Sequence, residues 1–179
     1  MFPSEWSTDG RFLTYYRTDP KTGLDTWVLP MEGERKPYPL LHEAYNESQP
    51  QFSPDGRWIA YVSDQSGMPQ VYVQSFPTQA GQTQISTGGG TQPRWRRDGR
   101  ELFYITLDRK MTVVYINARE SLEVDAPRVL FDTALPLGAF RQEYAVSADG
   151  QRFLLNTRLD TTASPMTVVL NWPALLLKK

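Results

Sequence analysis

Pro50-Gln51-Phe52-Ser53-Pro54-Asp55-Gly56-Arg57 is one of four versions of the same phrase in this chain. The others are Ser4-Glu5-Trp6-Ser7-Thr8-Asp9-Gly10-Arg11, Pro93-Arg94-Trp95-Arg96-Arg97-Asp98-Gly99-Arg100 and, more loosely, Tyr144-Ala145-Val146-Ser147-Ala148-Asp149-Gly150-Gln151. The Asp-Gly pairs stand 46, 43 and 51 residues apart (55−9, 98−55, 149−98). Three residues before each Asp sits an aromatic or apolar residue: Trp6, Phe52, Trp95 and Val146. Asp-Gly predicts a two-residue hairpin turn, because Gly accepts positive φ and Asp tolerates it. An aromatic and β-branched run follows each turn, as in Trp58-Ile59-Ala60-Tyr61-Val62, and predicts a strand buried on both faces.

A polar turn and a third run complete the core of each unit, for example Val71-Tyr72-Val73 and Thr112-Val113-Val114-Tyr115-Ile116. Fainter outer strands are expected at 38–41, 83–86 and 129–131. No long segment has helical periodicity. A period of ~40–50 residues with four short strands per unit is the signature of β-propeller blades. The expected fold is therefore all-β: one domain of four four-stranded antiparallel blades, in repeats of about 1–43, 44–87, 88–137 and 138–179. In the first blade the strands are expected near 4–7, 11–17, 25–30 and 37–41. Neither end offers a clear outer strand for the fourth blade, so the last blade is expected to be incomplete and the chain to form an open half-ring.

Composition narrows the function classes. A formal net charge of −1 gives no electrostatic case for nucleic acid or an anionic membrane. With no Cys there are no disulfides, no Cys-ligated zinc and no thiol catalysis, and the redox compartment stays open. No apolar run approaches the ~20 residues of a membrane helix. Met1-Phe2-Pro3-Ser4 lacks a basic region followed by an apolar stretch, which argues against a signal peptide.

The repeat resembles the TolB-type β-propeller repeat, a relative of the WD repeat. Pro50 to Tyr61 followed by Val71-Tyr72-Val73 carry the likeness, which extends over the whole chain. The fourth repeat departs from it, with Ala148 for the usual Pro and Val146 for the aromatic. The ending, Pro165-Met166-Thr167-Val168-Val169-Leu170-Asn171-Trp172, is similar to the C-terminus of propellers attached to bacterial eukaryote-like serine/threonine kinases. That resemblance implies a parent kinase upstream, and an extracytoplasmic propeller if the parent is membrane-anchored. The chain itself has no Gly-rich loop with a partner Lys, no His-Arg-Asp and no Asp-Phe-Gly.

Candidate chemistry is sparse. The turn aspartates are expected to cap backbone N–H groups rather than hold metal, since no calcium-loop spacing occurs. Gly88-Gly89-Gly90 lacks the Lys and helix of a phosphate loop and reads as a flexible connection. His42, the single His, lies in a connection, and no Gly-x-Ser-x-Gly elbow accompanies it. Asn46-Glu47-Ser48 fits the glycosylation pattern, which has meaning in a secretory setting alone.

One constellation remains. The first strand of each propeller blade lines the central channel, and positions four and six before the Asp share a face. They hold Glu5, Gln51, Arg94 and Ala145, and Pro3, Gln49, Gln92 and Glu143. The channel wall should therefore be polar, with Glu5, Gln49, Gln51, Gln92, Arg94 and Glu143 as candidate binding residues. Trp6, Phe52, Trp95 and Val146 should point the other way, into the core. No catalytic residue, metal or cofactor is assigned. The expected function is a non-catalytic binding, protein-interaction or sensory module of a larger bacterial protein, taking a protein, peptide or small polar ligand. The alternative is the propeller portion of a peptidase-like hydrolase whose catalytic domain lies elsewhere. Two uncovered apolar end faces further predict self-association, with two half-rings closing one eight-bladed ring.

Overall fold

The structure is a computed structural model that describes residues 2–118, 122–137 and 141–157, and the backbone of 167–169. Among these residues there is no helix, and so none long and apolar enough to cross a membrane. Sixteen strands form four antiparallel sheets. Blade one is β1 (Phe2–Trp6), β2 (Phe12–Asp19), β3 (Gly23–Pro30) and β4 (Tyr38–Leu41). Blade two is β5 (Glu47–Phe52), β6 (Trp58–Ser63), β7 (Gln70–Ser75) and β8 (Gln82–Gln84). Blade three is β9 (Thr91–Trp95), β10 (Glu101–Ile105), β11 (Lys110–Asn117) and β13 (Arg128–Asp132). A two-residue strand, β12 (Glu123–Val124), pairs with the end of β11 and accounts for the greater length of that repeat. Blade four shows β14 (Tyr144–Val146), β15 (Phe153–Leu155) and β16 (Thr167–Val169). Its outer strand falls outside the described residues.

The Asp-Gly turn is wider than the two-residue hairpin expected. In blade one the strand pair closes at Ser7 N–H to Phe12 C=O (2.8 Å), leaving residues 8–11 as the loop. Gly10 N–H returns to Ser7 C=O (2.9 Å), with Gly10 at φ 73°. Asp9 caps the loop: one oxygen accepts from Ser7 Oγ (2.6 Å) and from the Arg11 N–H (3.0 Å). Ser53–Asp55 and Ser147–Asp149 repeat the device. In blade three Arg96 replaces the Ser, and its guanidinium grips both oxygens of Asp98 (2.7 and 2.6 Å). The serine was supplying a donor to the carboxylate, and a guanidinium supplies two.

Strand register places side chains abreast in rows that define how blades stack. The row facing the preceding blade reads Phe52–Ile59–Gln74 in blade two and Trp95–Leu102–Val114 in blade three. The row facing the next blade reads Glu5–Thr14–Val28, Gln51–Ala60–Val73 and Arg94–Phe103–Val113 in the first three blades. Three apolar clusters lie where these rows meet. Phe52, Ile59 and Tyr61 join Val28 and Leu40 between blades one and two. Ala60, Val62 and Val73 join Leu102, Tyr104 and Val114 between blades two and three. Phe103, Ile105 and Met111 join Tyr144, Phe153 and Leu155 between blades three and four.

Trp6 departs from the core position expected for it. It stands third before the Asp, like Phe52 and Trp95, yet is 54% exposed where Phe52 is 5% exposed. The reason is topological. That position faces the preceding blade, and among the described residues nothing precedes blade one. The glycine run is also unlike a flexible connection. Gly89, at φ 89°, donates its N–H to Gln70 Oε1 (3.0 Å), and a Cβ there would collide with the Leu107 side chain. A Cβ on Gly90 would come within 2.7 Å of Ser86 Oγ. Gly89 and Gly90 let the backbone pass close to Leu107 of blade three and to Ser86 and Val71 of blade two.

Candidate functional site at the inner strands

The inner strands β1, β5, β9 and β14 bring the six candidate residues together in two layers. Gln49 and Gln92 form the first. Both are buried (2% and 0% exposed), and both have left-handed backbone, at φ 53° and 57°. The strand pairing shifts register beside each of them. This bend aims each amide along the ring instead of into the channel. Gln49 Oε1 accepts the N–H of Gln92 (2.6 Å), and Gln92 Oε1 accepts the N–H of Glu143 (2.7 Å). Gln49 Nε2 reaches the C=O of Arg141 (3.4 Å), and Gln92 Nε2 that of Pro136 (3.1 Å). At the head of the series, Tyr16 Oη accepts the N–H of Gln49 (2.6 Å). Each of the first three blades thus holds the next by one side-chain oxygen, a phenol in blade one and an amide in blades two and three. Such buried amides are satisfied and structural. Glu143, at the end, accepts from Asn156 Nδ2 (2.5 Å).

The second layer, four residues before each Asp, opens to solvent. Glu5, Gln51 and Arg94 line a cavity of about 500 Å³ together with Thr8, Arg97 and Ala145. Glu5 Oε2 accepts the Phe52 N–H (2.8 Å) across the first blade contact. Burial pushes its carboxyl up to about 8, against the opposing pull of that N–H and of the Arg94 charge. Arg94 donates from Nη1 to Gln51 Oε1 (3.1 Å), while its Nε is buried with no hydrogen-bond partner among the described residues. Trp95 Nε1 donates to the C=O of Gln51 (3.1 Å), fixing the strand behind the cavity. Glu5 and Glu143 thus engage different partners, Phe52 N and Asn156 Nδ2.

A second cavity, of about 510 Å³, is lined by the starts of β5 and β9 and by the loops around them. Leu24, Val62, Pro69, Leu107 and Leu137 make it mainly apolar, with Asn46 and Asp64 among its polar lining residues. Asn46 binds both oxygens of Asp64, through its N–H (2.9 Å) and Nδ2 (2.7 Å). Its amide is therefore engaged, and Glu47 and Ser48 beside it are buried. Sequence reasoning missed this apolar cavity, because its residues come from strands β3, β5, β6 and β9 and from loops between strands, which no single spacing connects. His42 is exposed in the connection before β5. Among the described residues no group of three or more His, Asp or Glu is placed to hold a metal ion.

Solved structures share this arrangement of blades. A structure of TolB from Agrobacterium tumefaciens matches over 72% of this chain and 49% of its own, at 21% identity and a TM-score of 0.56. The chain is a β-propeller by fold. The β-propeller domain of Cps50 (Swd1) from Myceliophteria thermophila matches over 90% of this chain and 52% of its own, at 12% identity and a TM-score of 0.60. A puromycin-hydrolyzing peptidase of Mycobacterium tuberculosis matches over 84% of this chain but 27% of its own, at 19% identity and a TM-score of 0.57. The propeller thus spans about half the length of the first of these relatives. No family model matches it. The likeness to kinase-attached propellers rests on the ending at 165–172, most of which lies outside the described residues.

Proposed function

We propose that this propeller is a non-catalytic binding module, part of a larger bacterial protein, whose inner-strand cavity takes an anionic group on a small molecule or peptide. The observation that carries the reading is Arg94. Its guanidinium borders the cavity with Nε buried and unpartnered, beside a Glu5 carboxyl that burial keeps largely protonated at neutral pH. With Glu5 neutral, Arg94 and Arg97 leave the lining cationic. A carboxylate or phosphate would pair with the guanidinium.

Differential scanning fluorimetry and calorimetric titration with inorganic phosphate, succinate and short peptides with free or amidated C-termini test this. Phosphate, succinate or the free-carboxylate peptides should stabilise the protein, and Arg94→Met should remove the effect. Binding that survives Arg94→Met, or no binding by any anionic probe, would sink the reading.

A second reading is the propeller portion of a peptidase-like hydrolase. It is supported by the match to a peptidase of which this fold makes up about a quarter. In that case the cavities would admit substrate to a catalytic domain carried elsewhere. The chain by itself should then still show no turnover in an ester, peptide and glycoside screen. Turnover lost in His42→Ala or Glu143→Gln would overturn both readings.

A further inference from the structure

The inner-strand cavity holds an acid and a cation that do not pair. Glu5 and Arg94 both line it, and the Arg94 charge is felt at the Glu5 carboxyl. Among the described residues no salt bridge joins them. Each is held by a different neighbour. Glu5 Oε2 accepts the Phe52 N–H (2.8 Å), and among the described residues its Oε1 has no hydrogen-bond partner. Arg94 donates to the neutral amide of Gln51 (3.1 Å). The rest of the lining carries one more cation, Arg97, and no second acid. Asp9 and Asp55, in the turns beyond Thr8 and Pro54, are tied to Arg11 and Arg57. Behind Glu5 stands Tyr16 of β2, whose phenol burial pushes above its ordinary range, so that it stays neutral. On its other side Arg94 borders a cavity with Glu143, whose carboxylate is held by Asn156 Nδ2 (2.5 Å). Glu5 is thus the single titratable acid among the described residues that line the cavity with Arg94.

We propose, resting on the reading of this cavity as an anion site, that it takes up its anion together with one proton, which Glu5 carries. An ionised Glu5 would present a carboxylate to the incoming anion. It would also offset the Arg94 charge across a partly buried space, where charges are weakly screened. A neutral Glu5 removes that repulsion, and its unpartnered oxygen becomes an O–H donor. The anion then bridges the carboxyl of Glu5 and the guanidinium of Arg94. Linkage makes the effect reciprocal: an anion that binds better to neutral Glu5 holds the proton on Glu5 more tightly. In the empty cavity burial sets the carboxyl at about 8. Below that pH the proton is already in place, and affinity should be level. Above it each anion must bring a proton in from solvent, and affinity should fall by up to about tenfold per pH unit.

The test is calorimetric titration with succinate, which stays ionised from pH 7 to 9.5, on the wild type, Glu5→Gln and Arg94→Met. Each titration is run in two buffers of different ionisation heat, which counts the protons taken up. Circular dichroism checks that the variants fold, and Gln at position 5 keeps an oxygen for the Phe52 N–H. Wild-type affinity should be level from pH 7 to 7.5 and about tenfold weaker at pH 9.5, with uptake of most of one proton per anion at pH 9. Glu5→Gln should show neither slope nor uptake, and should bind more tightly than wild type at pH 9.5. The wild-type slope and proton count read the effect even without the variant. Level wild-type affinity through pH 9.5 overturns the proposal and leaves the anion site standing, as does a slope or proton uptake that persists in Glu5→Gln. Binding that survives Arg94→Met overturns both. Absence of succinate binding at pH 7 overturns the proposal, and the anion reading falls with it only if phosphate and the free-carboxylate peptides also fail.

Discussion

The indole of Trp95 in the third blade donates its N–H to the carbonyl of Gln51 in the second, at 3.1 Å. A strand carbonyl bonded by a side chain from the next blade makes the aromatic position both a packing element and a hydrogen-bond donor. Trp95→Phe should keep most of the packing and lose the bond, at about 1 kcal/mol. Trp95→Ala should lose both. Because Trp95 is half-buried, it should fall toward the lower end of the ~3–5 kcal/mol range for large aromatics. Urea unfolding of the two variants measures the difference, and equal losses would contradict a role for the N–H.

Gln92 is expected to be more sensitive than its polarity suggests. Gln92→Leu removes the acceptor for the Glu143 N–H and the donor to the Pro136 carbonyl, at a side chain that is itself fully buried beside part-buried partners. Stranded buried backbone groups cost about 1–3 kcal/mol each. The Glu143 amide should exchange with solvent markedly faster, which hydrogen exchange reads directly. Gln51→Leu, nearer the open cavity, should affect stability less.

Acidity should stabilise this protein down to about pH 5. Glu5 and Glu47 are both pushed up to about 8, chiefly by burial, and for Glu47 the nearby Asp25 adds to the shift. In the unfolded chain each titrates near 4.5, so between 4.5 and 8 the folded state holds protons that the unfolded state has released. Stability from these groups is full below 4.5 and falls as pH rises through 8. The slope is at most about 1.4 kcal/mol per pH unit for a fully shifted group, and smaller for part-exposed Glu5. The turn aspartates act oppositely: their carboxyls are held low, Asp9 at about 2, so their contribution fades only in stronger acid. Unfolding at pH 5, 6.5 and 8 should show the decline, and Glu47→Gln should flatten it. A stability that rises across this range would refute the burial of Glu47 as its controlling feature.

Two glycines with positive φ should respond very differently to alanine. Gly10→Ala meets open space and should cost about 1 kcal/mol from backbone strain alone. Gly89→Ala adds a collision with Leu107 and should cost at least 2 kcal/mol more. Thermal melts of the pair provide the comparison.

The four Asp-Gly phrases made the blades readable, because a turn that needs positive φ and a capping carboxylate is written in residue types. Alternation made the inner-strand layer of Glu5, Gln51 and Arg94 readable too. Gln49 and Gln92 read as channel-lining because alternation assumes an unbroken strand. Their left-handed backbone turns the side chains along the ring, and nothing in the identity of Gln signals that conformation. Trp6 read as core because its position is core wherever a blade precedes it. The burial of Glu47 was hidden by its place in a loop-like run of polar residues.

The amide series from Gln49 to Gln92 to Glu143 has a direction: acceptors point toward the C-terminus, donors toward the N-terminus. On a ribosome, Gln49 is made 43 residues before the N–H that it binds. Gln49 and Gln92 therefore each leave the tunnel with an acceptor unfilled, and the inner strand of the following blade fills it on arrival.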